Sequence, residues 1–247
     1  MSKNRCVTHG RLMARYTGAY EEFPLQEGVA YRVGDAYFLN TSLENALAGE
    51  FISSFDVDYA YIDPPWGTSL VKAFYTRAGL IEDQPTFARF LRFFLRHLRG
   101  VRRDIFIEMG LRETPKLIQE LESDGAKVKR VWPITYYRSR PCSLLQVYYN
   151  ESVLNLGDTP NGRDDSETPF IVAEAIKEKS MILDTCTGQG LTAKATIKNG
   201  HKFVGVELHP RRLARAVRLI NKLTGEPLKE YKWTPRKTQH QNKHSQE

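Results

Sequence analysis

Short apolar runs, each broken by turn residues, recur along this chain and alternate with stretches of helical periodicity. Val57 with Tyr59 to Ile62 forms one run, 104–108 a second, Met181 to Leu183 a third and Phe203 to Val206 a fourth. Runs this short and this apolar predict parallel strands covered on both faces by helices. Residues 34–39 read as a further strand, and 43–51 as a helix with Ser42 as its N-cap. Another helix opens at Thr114-Pro115, where proline is tolerated in the first turn, and runs to Leu121. Helices are also expected over 169–179, 191–198 and 210–223. Residues 128–137 and 144–149 alternate apolar and polar positions around Arg138-Ser139-Arg140-Pro141, the pattern of an antiparallel hairpin at a sheet edge. The expected fold is therefore α/β: a doubly wound, mostly parallel sheet with an antiparallel edge hairpin.

Other stretches carry less pattern. Residues 1–30 lack periodicity and are expected as an N-terminal arm, and 67–85 as a loop-rich connector carrying Lys72, Tyr75 and Arg77. Residues 150–165 are rich in Gly, Asn and Asp and read as a linker. Residues 224–247 are polar and basic, interrupted by Tyr231 and Trp233, and are expected as a flexible tail. One folded domain over 31–223 remains.

At 247 residues, with 41% hydrophobic and 26% charged content, the chain can bury a full core. No apolar run is long enough to span a bilayer and Met1 to Gly10 is polar, so a cytoplasmic protein is expected. Cys6, Cys142 and Cys186 have neither metal-ligand spacing nor an even count; they read as reduced thiols, and no metal is expected. The formal net charge of +7 favours an anionic partner. Arg89, Arg92, Arg96, Arg99 and Arg103 recur at three- and four-residue steps, opposite Phe87, Leu91, Phe94, Leu95 and Leu98. They form a candidate phosphate rail, although a solvated helix face accounts for the same spacing. Arg138 and Arg140 at the hairpin tip are further candidates for nucleic-acid contact.

Two motifs carry the chemistry. Asp63-Pro64-Pro65-Trp66 ends the first apolar run, and strand ends of this kind are where open α/β sheets bind ligands. A carboxylate, a rigid proline carbonyl and an indole suit a flat ring with an exocyclic amine: the oxygens accept its N–H bonds and the indole stacks. Asp184-Thr185-Cys186-Thr187-Gly188-Gln189-Gly190 joins the third run to a helix, and the fourth run ends on Glu207. Glycines there allow close backbone approach to a cofactor, and a strand-end acid can accept ribose hydroxyls. Taken alone, this loop is also compatible with a dinucleotide, since Ala193 can stand for a third glycine.

Together the two motifs resemble the S-adenosylmethionine-dependent amino-methyltransferases that act on exocyclic amines of nucleobases. Asp63-Pro64-Pro65-Trp66 is similar to their catalytic motif, and 184–190 to their cofactor loop, usually Asp-Pro-Phe-x-Gly-x-Gly. Gly205 to Pro210 is similar to their ribose-binding strand. The catalytic motif comes first, as in the circularly permuted β class. Gly34-Asp35 stands where the family places an acid near the cofactor adenine, and Thr168-Pro169 where it usually has Lys-Pro. Cys186 replaces the usual Phe and Thr168 the usual Lys, which bears on cofactor packing. The resemblance implies an S-adenosylmethionine site on Asp35, Thr168, Pro169, Asp184, Thr185, Cys186, Thr187, Gly188, Gly190 and Glu207. It implies a DNA methyltransferase acting on N6 of a flipped adenine, with Asp63, Pro64, Pro65 and Trp66 as the catalytic corner. Cytosine N4, adenine in RNA and a non-catalytic nucleic-acid-binding subunit stay open. No separate target-recognition domain is visible, so specificity is expected from loops, a homodimer or a companion subunit.

Overall fold

The computed structural model describes residues 18–82 and 84–234. In chain order the elements are helix α1 (18–22), strands β1 (Ala30–Val33) and β2 (Ala36–Asn40), helix α2 (Ala46–Ser53) and strand β3 (Tyr59–Ile62). Helices α3 (Thr68–Ala78) and α4 (Phe87–Leu98), strand β4 (Ile105–Gly110) and helix α5 (Thr114–Ser123) follow. The hairpin β5 (Lys127–Tyr136) and β6 (Arg140–Tyr148) leads to α6 (Thr168–Ala175), β7 (Met181–Asp184) and α7 (Leu191–Lys198). Strand β8 (Lys202–Glu207), helix α8 (Pro210–Thr224) and the short β9 (Lys229–Glu230) complete the described chain.

The strands form one sheet in the order β5-β6-β4-β3-β7-β8-β2-β1-β9. The central strands β4, β3, β7, β8 and β2 are mutually parallel, while β6 with β5, and β1 with β9, add antiparallel margins on opposite edges. All residues of β3 and β4 are buried, as expected for strands covered on both faces. From β3 the chain crosses outward to β4, and from β7 outward to β8, so the β3–β7 boundary is the switch point where a crevice opens. The doubly wound sheet with an edge hairpin is as the apolar pattern predicts. Among the described residues, no helix is long and apolar enough to cross a membrane.

Several local expectations are corrected. Of the strand expected over 34–39, residues 36–39 lie in β2, whereas Gly34, at φ 56°, and Asp35 form the turn that joins it to β1. The N-cap of α2 is Asn45, whose side chain accepts from Leu47 N at 3.0 Å, rather than Ser42. The stretch from Gly67, expected as a connector, holds α3, because Val71 and Tyr75 give it a buried face. In the expected irregular arm, α1 forms a helix, and Ala19, Phe23 and Leu25 pack with Leu213, Val217 and Ile220 of α8. The start of the expected flexible tail is also packed. Strand β9 pairs with β1, and the rings of Tyr231 and Trp233 lie 4.9 Å from Tyr37 and 5.8 Å from Phe51. Residues 1–17 and 235–247, with the rest of both expectations, lie outside the described residues.

One buried acid ties the linker to the sheet. Asp104 is wholly buried and accepts from Gln146 Nε2 at 2.7 Å, Ser152 Oγ at 2.5 Å, and the backbone N–H groups of Val153 and Leu154, both at 2.8 Å. Removing it strands buried donors, each of which costs a desolvation penalty. Asp104→Ala is expected to lower stability by about 3–5 kcal/mol, read as a fall in the urea midpoint. A change below ~1 kcal/mol would show that water replaces the carboxylate freely.

Candidate active site

Because β3 and β7 run parallel side by side, their C-terminal ends face the same rim. The Asp63-Pro64-Pro65-Trp66 corner and the loop after Asp184 therefore line one continuous cavity of about 1390 Å³. The two proline rings are buried and fix the direction in which the chain leaves β3. The Asp63 carboxylate is oriented from both sides: Trp66 Nε1 donates to Oδ1 at 3.1 Å and the Tyr136 hydroxyl donates to Oδ2 at 3.1 Å. Burial raises the Asp63 carboxyl to about 6, so at neutral pH it is an ionised acceptor whose proton affinity is unusually high.

Trp66 differs from its expected role. Its side chain is 6% exposed, with the Arg140 guanidinium 4.9 Å from the ring centre and Tyr136 edge-on at 4.6 Å. On another side Gly110 is so close that an added Cβ would sit 2.9 Å from Trp66 Cε3. The indole is thus enclosed, and it orients Asp63 instead of offering an open stacking face.

The cofactor-type loop is held by backbone bonds to acids. Asp184 Oδ1 accepts from Cys186 N at 2.9 Å, and Thr187 Oγ1 donates to the Asp184 carbonyl at 3.1 Å. Glu207 accepts from Gly188 N at 2.6 Å and from His209 N at 2.9 Å, clamping the loop to the end of β8. Gly190 adopts φ 84°, and a Cβ there would meet Ala216 Cβ of α8 at 2.7 Å, so only glycine permits this approach. Asp184, Thr185, Cys186, Thr187, Gly188, Glu207 and Pro169 all line the cavity. Gly190 lies just behind it.

Two expected cofactor residues stand elsewhere. Asp35 is in the β1–β2 turn, at the opposite end of β2 from the cavity, where it pairs with Lys179 at 2.8 Å. The correction follows from the hairpin: the end of β2 nearest Glu207 is Asn40-Thr41, and Asn40 Nδ2 donates to the Glu207 carbonyl at 2.7 Å. Thr41 lines the cavity, and its hydroxyl is buried without a hydrogen-bond partner. Thr168 is wholly buried; its hydroxyl donates to Glu108 Oε1 at 3.0 Å and accepts from Tyr61 at 2.6 Å.

The basic candidates also divide. Arg138 and Arg140 line the cavity, since β5 rises to the rim and places the tip there. Arg89, Arg92, Arg96 and Arg99 do not line it; α4 contributes Phe90 instead. Arg99 pairs with Asp124, and Arg103 donates to the Tyr59 hydroxyl at 3.1 Å. The rail expected on α4 is therefore separate from the corner.

Four site residues were missed in the sequence. Tyr136 and Glu108 reach Asp63 and Thr168 only through strand pairing, which no local motif reports. Burial, then the charge of Asp63, holds the Glu108 carboxyl well above its ordinary value. Thr41 stands just past the end of β2, with no motif of its own to mark it. Arg212 spans from Gly188, where an added Cβ would lie 3.0 Å from its Nη2, to Phe74, whose ring centre is 5.0 Å from its guanidinium carbon.

Burial raises the Asp184 carboxyl to about 7, against ~3.9 in an unfolded chain. Ionising it in the folded state costs stability, a cost fully present above pH 7 and relieved as pH falls through the folded value. Asp184→Asn keeps an acceptor for Cys186 N and removes the charge. Its stability advantage over the wild type is expected to shrink by about 2 kcal/mol between about pH 8 and 5.5. Urea midpoints at both values test this, and a constant difference would count against the raised acid.

No family model and no curated protein matches the chain. Solved structures do. M1.HpyAVI in complex with SAM superposes with a TM-score of 0.59 at 14% identity, over 75% of this chain and 100% of that one. TTHA0409 from Thermus thermophilus, complexed with S-adenosyl-L-methionine, gives 0.55 at 14% identity over 75% and 93%. PvuII DNA methyltransferase, cytosine-N4-specific, gives 0.50 at 9% identity over 79% and 94%. With its catalytic-type strand preceding its cofactor-type strand, the chain has the Rossmann-like fold of these proteins.

Proposed function

We propose that this protein transfers a methyl group from S-adenosylmethionine to the exocyclic N6 amine of an adenine flipped out of DNA. The observation that carries the reading is the shared cavity: the doubly oriented Asp63 carboxylate and the glycine loop at 186–190 open into the same space. The likeness to two proteins bound to S-adenosylmethionine supports the cofactor, and the residues present fit it. Gly188 brings bare backbone to the cavity wall, Gly190 behind it lets the loop pack tightly on α8, and the unpartnered Thr41 hydroxyl and the Glu207 carboxylate border the same wall. When bound, S-adenosylmethionine supplies an electrophilic methyl group on a sulfonium.

This chain's residues would then act by alignment and charge. Gly188, Thr41 and Glu207 hold the donor end, with Asp184 fixing the loop and Gly190 seating it on α8. Each Asp63 oxygen keeps a lone pair beyond those used by Trp66 and Tyr136. Asp63 and the Pro64 carbonyl accept the two N–H bonds of the target amine, drawing its nitrogen toward tetrahedral geometry and localising its lone pair. The amine nitrogen would bond the methyl as the methyl–sulfur bond breaks, its electron pair staying on sulfur as a neutral thioether, and Asp63 or water would take the proton released, consistent with a carboxyl that burial holds near 6. Tyr137, 71% exposed beside the cavity, offers the aromatic face that Trp66 lacks. A base entering the corner must leave the duplex, and stacking offsets part of that cost.

A second reading, N4 of cytosine, is favoured by the likeness to the PvuII enzyme, which is cytosine-N4-specific. The corner contacts only the amine, which both bases carry. Incubating DNA with labelled donor and identifying the modified nucleoside by mass spectrometry separates N6-methyladenine from N4-methylcytosine. Absence of labelled nucleoside from both DNA and RNA would overturn the enzymatic reading.

Asp63→Asn is expected to lower turnover by at least about 100-fold while leaving donor affinity, measured by calorimetry, within a factor of about two. Retained turnover would exclude Asp63 as the acceptor. In the wild type the acceptor must be ionised, so the rate should rise with pH through about 6 and then level. A pH-rate profile flat from about 5 to 8 would contradict that assignment. Glu207→Gln should weaken donor binding by roughly tenfold or more through lost charged hydrogen bonds, and unchanged affinity would remove Glu207 from the site.

A further inference from the structure

Past the corner, the cavity continues along α8. Arg211, Arg215, Arg218 and Lys222 all line it, at steps of four, three and four that place them along one face of the helix. The opposite face, Leu213, Ala214, Ala216, Val217 and Ile220, is buried in the core, so the basic stripe is held in one direction. Lys194 of α7 lines the same wall, and the close contact of Gly190 with Ala216 sets the two helices against each other. Arg211 and Lys222 are exposed, Arg215 and Arg218 half-buried, and Arg218 Nε lies 2.6 Å from Glu22.

The size of the cavity matters here. Pockets for drug-sized ligands measure about 300–1,000 Å³, and this cavity is about 1390 Å³. A nucleoside-sized donor leaves space over, and the space left over runs past cations. From Arg211 to Lys222 the helix rises roughly 16 Å, enough to accompany a short run of consecutive phosphates on one strand. The α4 arginines, by contrast, stand outside the cavity wall.

We propose that the groove between α7 and α8 carries the sugar–phosphate backbone of the strand whose base enters the Asp63 corner. The inference rests on the methyl-transfer reading and adds to it the path of the substrate. Arg211 and Lys222 mark the two ends of the track. Each phosphate contact releases a condensed counterion, so the track governs how steeply binding weakens with salt.

The test uses the full chain and a fluorescein-labelled 30-mer of DNA, as duplex and as single strand, with anisotropy titrations at several salt concentrations. In the Arg211→Gln/Lys222→Gln double variant, the slope of log Kobs against log salt should shrink by about 1.8 on duplex or about 1.4 on single strand. Donor affinity by calorimetry should stay within about twofold of wild type, which also reports an intact fold. The arm in which the slope shrinks identifies the form the groove accepts. A wild-type slope in this variant on both probes overturns the proposal, as does a loss confined to Arg92→Gln/Arg96→Gln on α4. If the wild-type protein itself binds neither probe with salt dependence, the nucleic-acid reading fails and takes this inference with it. If it binds and only the α8 variant is silent, the groove alone is wrong.

Discussion

The pairing of β3 with β7 is the constraint on which the remaining structure depends. Tyr59 sits opposite Ile182 and Ala60 opposite Leu183, and the register is pinned below by Asp58. Its backbone N–H donates to the Met181 carbonyl at 3.0 Å, while its carboxylate accepts from Met181 N at 2.9 Å. Because side chains alternate across a strand, a slip of one residue would turn Asp63 or Asp184 to the wrong face of the sheet. Parallel strands in register deliver both of their following turns to one rim, and the chemistry of this protein is a property of that rim.

The rim is costly to build. Asp63, Glu108 and Asp184 are held above their ordinary proton affinities, with burial as the first cause in each case. Such a set is poorly solvated when empty and well matched to a ligand bearing positive charge. The edge hairpin contributes more than a sheet margin. Through Tyr136 it supplies one of the two hydrogen bonds that aim Asp63, and through Arg140 it covers the indole that supplies the other. The tip is fastened in turn by the linker, since Tyr137 N donates to Asp165 Oδ1 at 3.0 Å and Thr135 N to the Arg163 carbonyl at 2.8 Å. A segment that reads as a plain polar connector thus supports the geometry of the corner.

What could be read in the sequence follows from how local each signal is. The buried strands announced themselves because a strand covered on both faces has little room for polar residues, and the 63–66 corner and 184–190 loop are contiguous. The helix α4 was legible from spacing, yet its arginines were assigned a place that only the tertiary structure could decide. Asp35 illustrates a sharper failure. The resemblance puts Asp35 at the start of the expected strand, in what is the β1–β2 turn, whereas the end of β2 that faces the cavity is Asn40-Thr41. In α3, Lys72 and Arg77 masked the apolar face made by Val71 and Tyr75. Tyr136 and Glu108 belong to the site only by long-range pairing, for which no residue near them in sequence gives a sign.

The order of strands in the sheet also has a consequence for how the protein is made. Strand β3 is synthesised early and acquires β4 on one side, but its other edge waits for β7, much later in the chain. At about 5–20 residues per second, a nascent chain spends on the order of ten seconds with that apolar edge bare. Contacts so distant in sequence form slowly, and bare edges invite pairing with other chains. The permuted order that sets the acid ahead of the loop therefore gives ribosome-bound intermediates an interval of vulnerability, closed only when Met181 to Asp184 emerge and dock.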